Sequence, residues 1–309
     1  MELRWFPLEH RRPSNREQAL KYHNPEIPEG INTTETHPLK EFGFLISVVI
    51  GGGILLTLVL AFAVDLAAGY IPFEFEAALS ESVVKNIDKK PDEVDQYLQS
   101  LADKLALKMD LSEGMNIHVH YVNEDVVNAM ATLGGHVMVY RGLLEKLPNE
   151  NALVMLLGHE IGHVKLRHPV KALGKGVVLG LLMSVILGES SDSVANAISD
   201  TTMLTMLSFS RDQEESSDEE GIKTVNAYYG HVQGATGLFE ILQKASEDSM
   251  VDMPQFLNSH PDTENRINYL NKQASTQHWK LKGPLRPIPD NILKKLKADK
   301  QQESEVVKD

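Results

Sequence analysis

The residues His159-Glu160-Ile161-Gly162-His163 combine types and spacing that suit metal-dependent hydrolysis. Two histidines four positions apart lie on one face of a helix, where both imidazoles can bind one metal ion. Glu160 lies beside that face, where a carboxylate can take a proton from water. The apolar residues 152–157 before the motif are typical of a buried helix, which favours a metal site over paired surface histidines.

A third metal ligand must come from another part of the chain, and the acidic segment 210–218 offers candidates. On a helix Glu214 and Asp218 share one face, so one could bind the metal while the other orients a ligand. Glu215 is the alternative ligand on sequence alone. The acidic run as a whole also fits a helix face exposed to solvent. On spacing alone, a metal ligand and a solvated face both remain possible interpretations of this segment.

Local patterns predict the elements that must hold these groups. A helix is predicted over 92–109, and alternating apolar residues predict strands over 117–121 and 136–140. A further helix is predicted to begin near Glu150, with Asn149 as its N-cap. The pattern after residue 210 is again mostly helical.

Composition excludes several other classes of chemistry. The 309 residues include 30 basic and 43 acidic side chains, a formal charge of −13, and this excess argues against a nucleic-acid partner. Cysteine is absent, which excludes disulfides, thiolate metal sites and thiol catalysis. A metal would therefore be held by imidazoles and carboxylates.

An uncharged segment of 23 residues at 42–64 is long enough to cross a bilayer as a helix. A cleaved signal peptide fits less well, because the segment is too long and follows 41 residues of mixed charge. Basic residues precede it up to Lys40, and none follows until Lys85, which favours a cytoplasmic N-terminus. The expected location is a bacterial inner membrane, single-pass, with the remainder periplasmic.

A second uncharged segment, residues 177–188, is too short to span a bilayer comfortably. A buried core helix or a lid over a cleft is one interpretation, and a hairpin that dips into the membrane is the other. The whole chain divides as follows: 1–41, an N-terminal cytoplasmic segment; 42–64, the transmembrane helix; 65–79, a linker; 80–275, the catalytic domain; 276–309, a basic, flexible tail.

Three motifs follow one another along the chain: HExxH at 159–163, Ser-Arg-x-x-Glu-x-x-Ser-Asp at 210–218 and His-Pro-x-x-x-x-Arg-Ile at 260–267, with the upstream run 134–144. Together they resemble the motifs of the membrane-associated zinc peptidases of family M forty-eight, which include CAAX prenyl endopeptidases and HtpX-type heat-shock proteases. The resemblance covers roughly 80–275, and Ser217 stands where the family usually has alanine. It implies an α+β, mostly helical, zincin-like metallopeptidase domain with a small β-sheet, preceded by one transmembrane helix.

Residue by residue, the resemblance implies one zinc ion per chain. His159, His163 and Glu214 would be its ligands, because the motif register selects Glu214 over the next residue. Glu160 would be the general base, and Asp218 would hold a ligand histidine from behind.

His260 and Arg266 would lie near the metal, where either could support the oxyanion of the transition state. The alternative for Arg266 is an ion pair that holds the C-terminal helices together. An extended substrate is expected to pair with an edge strand near 136–140 through its backbone, which would make recognition tolerant of sequence.

The leading functional prediction is a membrane-anchored zinc endopeptidase that removes misfolded or damaged envelope proteins. Its partners would be unfolded protein substrates and, through 42–64, the lipid bilayer. The alternative is a chaperone or assembly factor that binds client proteins with little or no cleavage. CAAX-type processing is disfavoured, because those enzymes enclose their site within many transmembrane helices.

Overall fold

The structure is a computed structural model that describes residues 37–84, 90–187, 209–248, 255–256, 260 and 263–306. The chain forms two compact units, residues 1–52 and 53–309. In the first unit the described residues form the beginning of one long helix, α1 (Pro38–Ala68). The second unit holds the end of α1, the three-stranded sheet and all the other described helices.

The described part of the chain is mostly helical, which confirms the predicted balance of elements. Among the described residues, the strands are confined to the part of the chain between α3 and α4. The helices after α1 are α2 (Phe73–Val84), α3 (Glu93–Ala106), α4 (Arg141–Leu144), α5 (Glu150–Lys165), α6 (His168–Leu187), α7 (Arg211–Tyr229), α8 (Gly237–Asp248), α9 (Thr263–Thr276) and α10 (Asp290–Val306).

A small mixed sheet contains β1 (His118–Val122), β2 (Ala129–Ala131) and β3 (His136–Tyr140), in the order β1–β3–β2. β3 runs parallel to β1 and antiparallel to β2. The predicted strands near 117–121 and 136–140 are confirmed. The expectation that 136–140 is an edge strand is wrong, because β3 pairs on both sides and the three-residue β2 forms an edge.

Helix α5, which carries the HExxH motif, lies at the centre of the core. Residues 151–164 are all buried, so this helix has no solvent face, as its nearly continuous apolar sequence requires. It begins at the predicted cap, where the Asn149 side chain accepts a hydrogen bond from the backbone N–H of Ala152 at 2.9 Å.

Small residues let α7 approach α5 closely. A Cβ atom placed on Gly158 would lie 3.1 Å from the Cα of Gly221, and one on Gly162 would lie 3.3 Å from the backbone oxygen of Ser217. Larger side chains at these positions would push the two helices apart. This close packing brings the acidic residues of α7 to the histidine face of α5.

The long α1 contains the uncharged segment 42–64, and its side chains are largely exposed. Among the described helices it is the one that is long and apolar enough to cross a membrane. The described part of the other uncharged segment, residues 177–187, forms the second half of helix α6. This helix is not among the candidate membrane-spanning helices. Residue 188 lies outside the described residues.

The expected linker at 65–79 is mostly folded. α1 continues to Ala68, and α2 begins at Phe73 after a short turn. Glu76 of α2 is buried and forms an ion pair of 2.8 Å with Arg167, just beyond the end of α5. No local pattern in this segment indicates that Glu76 is buried, because its partner lies far along the chain.

The expected flexible tail at 276–309 is also corrected by the structure, over its described residues to 306. Ile288, Ile292 and Leu296 are buried in the same core as α5. Ile288 lies just before α10, and the spacing of four places Ile292 and Leu296 on one face of this lysine-rich helix, so the basic composition describes only the outer face. On the inner face, the buried Asp299 accepts a 3.0 Å hydrogen bond from the hydroxyl group of Tyr121.

Shortening an apolar side chain on this inner face of α10 is expected to destabilise the unit that shares its core. Leu296→Ala should lower the free energy of unfolding by about 2–5 kcal/mol, because it leaves a cavity in a packed core. The exposed Lys297→Ala on the same helix is the control, with a change within about 0.5 kcal/mol. Chemical denaturation of the full chain in detergent measures both, and equal stabilities would contradict the observed packing of α10.

Candidate metal centre

Four buried side chains place their donor atoms within 4.8 Å of one another: His159, His163, Glu214 and His260. The first two come from α5, and Glu214 comes from the first turn of α7, which Ser210 caps with a capping box. Glu215, the alternative ligand, is exposed and is not one of these four side chains.

The two α5 histidines face each other through their Nε2 atoms, which are 3.0 Å apart. A carboxylate oxygen of Glu214 lies 3.6 Å from the Nε2 of His159, and the other lies 3.4 Å from the Nε2 of His163. Nitrogen ligands bound at about 2.0–2.1 Å in a tetrahedral zinc site lie about 3.3 Å apart. The separations therefore fit a bound metal ion with only small shifts.

The far nitrogen of each α5 histidine is held from behind. The Nδ1 of His159 lies 2.9 Å from the Oδ1 of Asp218, and the Nδ1 of His163 lies 2.9 Å from the Nδ1 of His168. Such contacts hold each ring so that its Nε2 lone pair points toward the donor cluster. The hydroxyl group of Ser217, which stands where the resembled family usually has alanine, lies 3.2 Å from the Nδ1 of His168.

Sequence reasoning missed His168, since it has no ligand spacing relative to the HExxH motif. The turn at the end of α5 reverses the chain and returns this side chain to His163. The one available signal in the sequence was the position of His168, five residues after His163. Spacing within a helix carries no information about a contact formed by such a turn.

The charges of the site suit a divalent cation. Burial acts to raise the pKa of Glu214, but His260 and His163 outweigh it and hold that pKa far below the usual value. Burial likewise opposes ionisation of Asp218, and the Arg266 guanidinium more than offsets this and lowers the pKa of the carboxyl group. Burial lowers the pKa of His163 well below its usual value, which leaves its imidazole neutral and able to bind metal.

The general-base candidate Glu160 is fully buried beside this cluster, and neither carboxylate oxygen has a hydrogen-bond partner among the described residues. The Nε2 atom of His260, likewise without a hydrogen-bond partner, lies 3.7 Å from the Oε1 of Glu160. Buried polar atoms are nearly always hydrogen-bonded. These orphaned atoms are explained if water, metal or substrate completes the site.

Arg266, from α9, is engaged by carboxylates. Its Nε and Nη2 atoms donate to the two oxygens of Asp218, each at 2.7 Å, and its Nη1 lies 3.0 Å from Glu214. The guanidinium also lies over the ring of Phe239, 4.6 Å from its centroid. Three carboxyl groups, those of Glu160, Glu214 and Asp218, therefore lie around one guanidinium group, an excess of acidic groups that suits a divalent metal ion.

Comparison with known proteins agrees with this geometry. Residues 91–274 match the family described as Peptidase family M48. The chain is 28% identical over 158 residues to a protein named mitochondrial metalloendopeptidase OMA1 from Arabidopsis thaliana, covering 51% of this chain and 32% of that relative. It is 29% identical over 183 residues to the beta-barrel assembly-enhancing protease of Escherichia coli (strain K12), covering 56% and 37%.

A third relative, metalloprotease YcaL of Escherichia coli (strain K12), is 28% identical over 184 residues, which cover 56% of this chain and 70% of YcaL. The chain spans less than half of the length of the first two relatives. All three relatives have names that denote a protease, two of them a metalloprotease, and the family match covers more than half of the chain. The chain belongs to peptidase family M48.

Proposed function

We propose that this protein is a membrane-anchored, zinc-dependent endopeptidase with a zincin-like catalytic domain at 80–275. The observation that carries the proposal is a buried His-His-Glu donor set beside a carboxylate, Glu160, that has no hydrogen-bond partner among the described residues. Family membership and the metalloprotease names of the relatives support it. The proposed reaction is hydrolysis of peptide bonds in protein substrates.

His159, His163 and Glu214 would hold one zinc ion, and Asp218 would position His159 through the 2.9 Å contact to its Nδ1. When bound, zinc supplies a Lewis acid that polarises the scissile carbonyl group and makes water more acidic. Glu160 takes the proton of the attacking water and returns a proton to the leaving amine.

Between His260 and Arg266, we assign the oxyanion contact to His260. Arg266 directs its donors to Asp218 and Glu214, so it holds these carboxylates in place and acts as a positioning residue. The Nε2 of His260 has no hydrogen-bond partner among the described residues. The Glu214 and Glu160 carboxylates outweigh the effect of burial and raise the pKa of His260, so it can donate a hydrogen bond to developing negative charge.

An extended substrate would pair with the outer edge of β2. The edge of β1 already forms hydrogen bonds with α3. The Gln99 side chain donates to the backbone oxygen of Ile117 and accepts from the backbone N–H of Val119. Just before β2, the backbone oxygen of Val127 accepts a 3.1 Å hydrogen bond from the N–H of Phe256, so this edge does accept main-chain donors.

The β2 edge is also close to the donor cluster. The Phe256 ring stacks on His260 with 4.3 Å between centroids and lies 6.4 Å from His159. A peptide at the β2 edge would therefore lie beside the metal ligands, and its backbone would supply affinity without a strict sequence requirement.

We further propose that 42–64 anchors the chain in a bacterial inner membrane, with residues 1–41 cytoplasmic and the catalytic domain periplasmic. The uncharged stretch within α1 and the basic residues before it support this topology. In that location the proposed role is removal of misfolded or damaged envelope proteins. One of the relatives is named for enhancing β-barrel assembly, which is consistent with a role in an envelope.

The test is metal content and cleavage of casein by the full chain in detergent micelles. We expect about one zinc ion at the catalytic centre, casein cleavage, loss of both with 1,10-phenanthroline, and recovery of cleavage when zinc is returned. Zinc-free magnesium, added in place of zinc, is the metal control and should restore nothing, since imidazole ligands disfavour it. Zinc bound without any cleavage would reject the endopeptidase proposal in favour of the client-binding alternative.

A further inference from the structure

Three histidines lie together on the face of the sheet opposite α5. His118 and His120 alternate on β1 with Val119 and Tyr121, which are buried in the main core. His136 begins β3, and the parallel register pairs it directly with His118. All three imidazoles therefore project from one side of two hydrogen-bonded strands.

The rings of this cluster have nearly the same spacing as those of the metal centre. The ring centroids are 5.0 Å apart for His118 and His136, and 5.1 Å apart for His120 and His136. In the metal centre the corresponding distance between His159 and His163 is 4.6 Å. Imidazoles that share a tetrahedral metal at about 2.0–2.1 Å have centroids about 5.2 Å apart, so each of the two ring pairs that include His136 has about the separation of two rings on a shared ion.

Nitrogen atoms in the sheet cluster also face each other. The Nε2 of His120 lies 2.9 Å from the Nδ1 of His136, comparable to the 3.0 Å between the Nε2 atoms of His159 and His163. An increase of about 0.4 Å would place this pair at the separation of two zinc ligands. His118 is exposed and can change rotamer to bring its own nitrogen to the same ion.

The cluster is accessible from outside the protein. An open cavity of about 490 Å³ reaches His118 and His120 from the α3 side. Asp103 of α3 also lines this cavity.

We propose that His118, His120 and His136 form a second metal site, separate from the catalytic centre, for a late divalent transition metal such as zinc. Imidazole nitrogens suit zinc, copper and nickel, and a three-histidine set with one open position is a known zinc arrangement. A bound ion would join β1 to β3 across the strand pair. The inference does not depend on the proposed peptidase activity.

The experiment measures zinc per chain in the full-length protein in detergent micelles, after saturation with zinc and gel filtration. His120→Asn combined with His136→Asn is expected to lose one zinc equivalent and to retain casein cleavage. The control is His278→Asn, an exposed histidine whose positive φ of 57° asparagine tolerates, and it should lose none. Circular dichroism of the metal-free chains checks that the double variant folds.

The same double change in a Glu214→Ala background separates the two sites. We expect zinc to fall from one equivalent to none there, whatever the peptidase assay shows. Zinc should raise the melting temperature of the Glu214→Ala chain, and it should not raise that of the Glu214→Ala chain that also carries the changes at His120 and His136. Equal zinc content with and without His120 and His136, in both backgrounds, would overturn the proposal.

Discussion

Replacing Glu160 with glutamine is expected to lower kcat for casein cleavage by a factor of about 10²–10⁴, because the amide cannot accept the proton of the attacking water. Glutamine has nearly the same shape as glutamate, so the buried position beside the donor cluster stays filled. Zinc content should be unchanged, since Glu160 is not among the four side chains that form the donor cluster.

The matched control is Glu215→Gln, the same chemical change on an exposed residue of α7. It should leave both kcat and zinc content at the level of the parent chain. Initial rates across casein concentrations, together with metal analysis, distinguish the outcomes. Full cleavage by the Glu160→Gln chain would remove this residue from the reaction, and zinc loss in that chain would make it a ligand instead of a base.

Replacing Glu214 with alanine is expected to abolish both zinc binding at the catalytic centre and cleavage. Glu214 supplies the carboxylate of the donor set, and its oxygens lie 3.4–3.6 Å from the two α5 histidines. Without it, two histidines from one helix remain with His260, and Arg266 loses one of its two carboxylate partners. The fold loses the stabilisation that metal binding supplies, so the melting temperature of the zinc-treated chain should also fall.

Asp218→Asn provides a graded comparison for the ligand substitution. Asp218 contacts the far side of His159 and takes no position in the donor cluster, so its loss should weaken zinc affinity by about 10–100-fold without abolishing binding. Zinc affinity from competition with a chromogenic chelator measures both variants. A Glu214→Ala chain that retains the parent's affinity at the catalytic centre would exclude Glu214 as a ligand.

The sequence alone was sufficient for features that depend on neighbours along one helix. The face shared by His159 and His163 follows from a spacing of four, and the start of α5 follows from the cap at Asn149. The uncharged segment 42–64 was equally evident, because its length and composition are properties of the chain itself. Each of these features is set by local geometry, with 3.6 residues per helical turn.

The family resemblance implied which distant groups lie near the metal, and only the tertiary structure shows the contacts by which they meet. His260 lies 46 residues from Glu214 in sequence and 2.9 Å from it in space, and Arg266 reaches Asp218 across a separation of 48 residues. These contacts require α5, α7 and α9 to pack closely, which depends on small residues such as Gly158. No periodicity within one segment encodes such an approach.

The sheet and the C-terminal helix show the same limit. β3 has the alternation of any half-buried strand, and its central place in the order β1–β3–β2 results from pairing with two other segments. The basic composition near the C-terminus describes the solvent face of α10, whereas Ile292 and Leu296 are buried in the shared core. Burial depends on which surfaces meet in three dimensions, so composition alone predicted a loose tail where the fold has a packed helix.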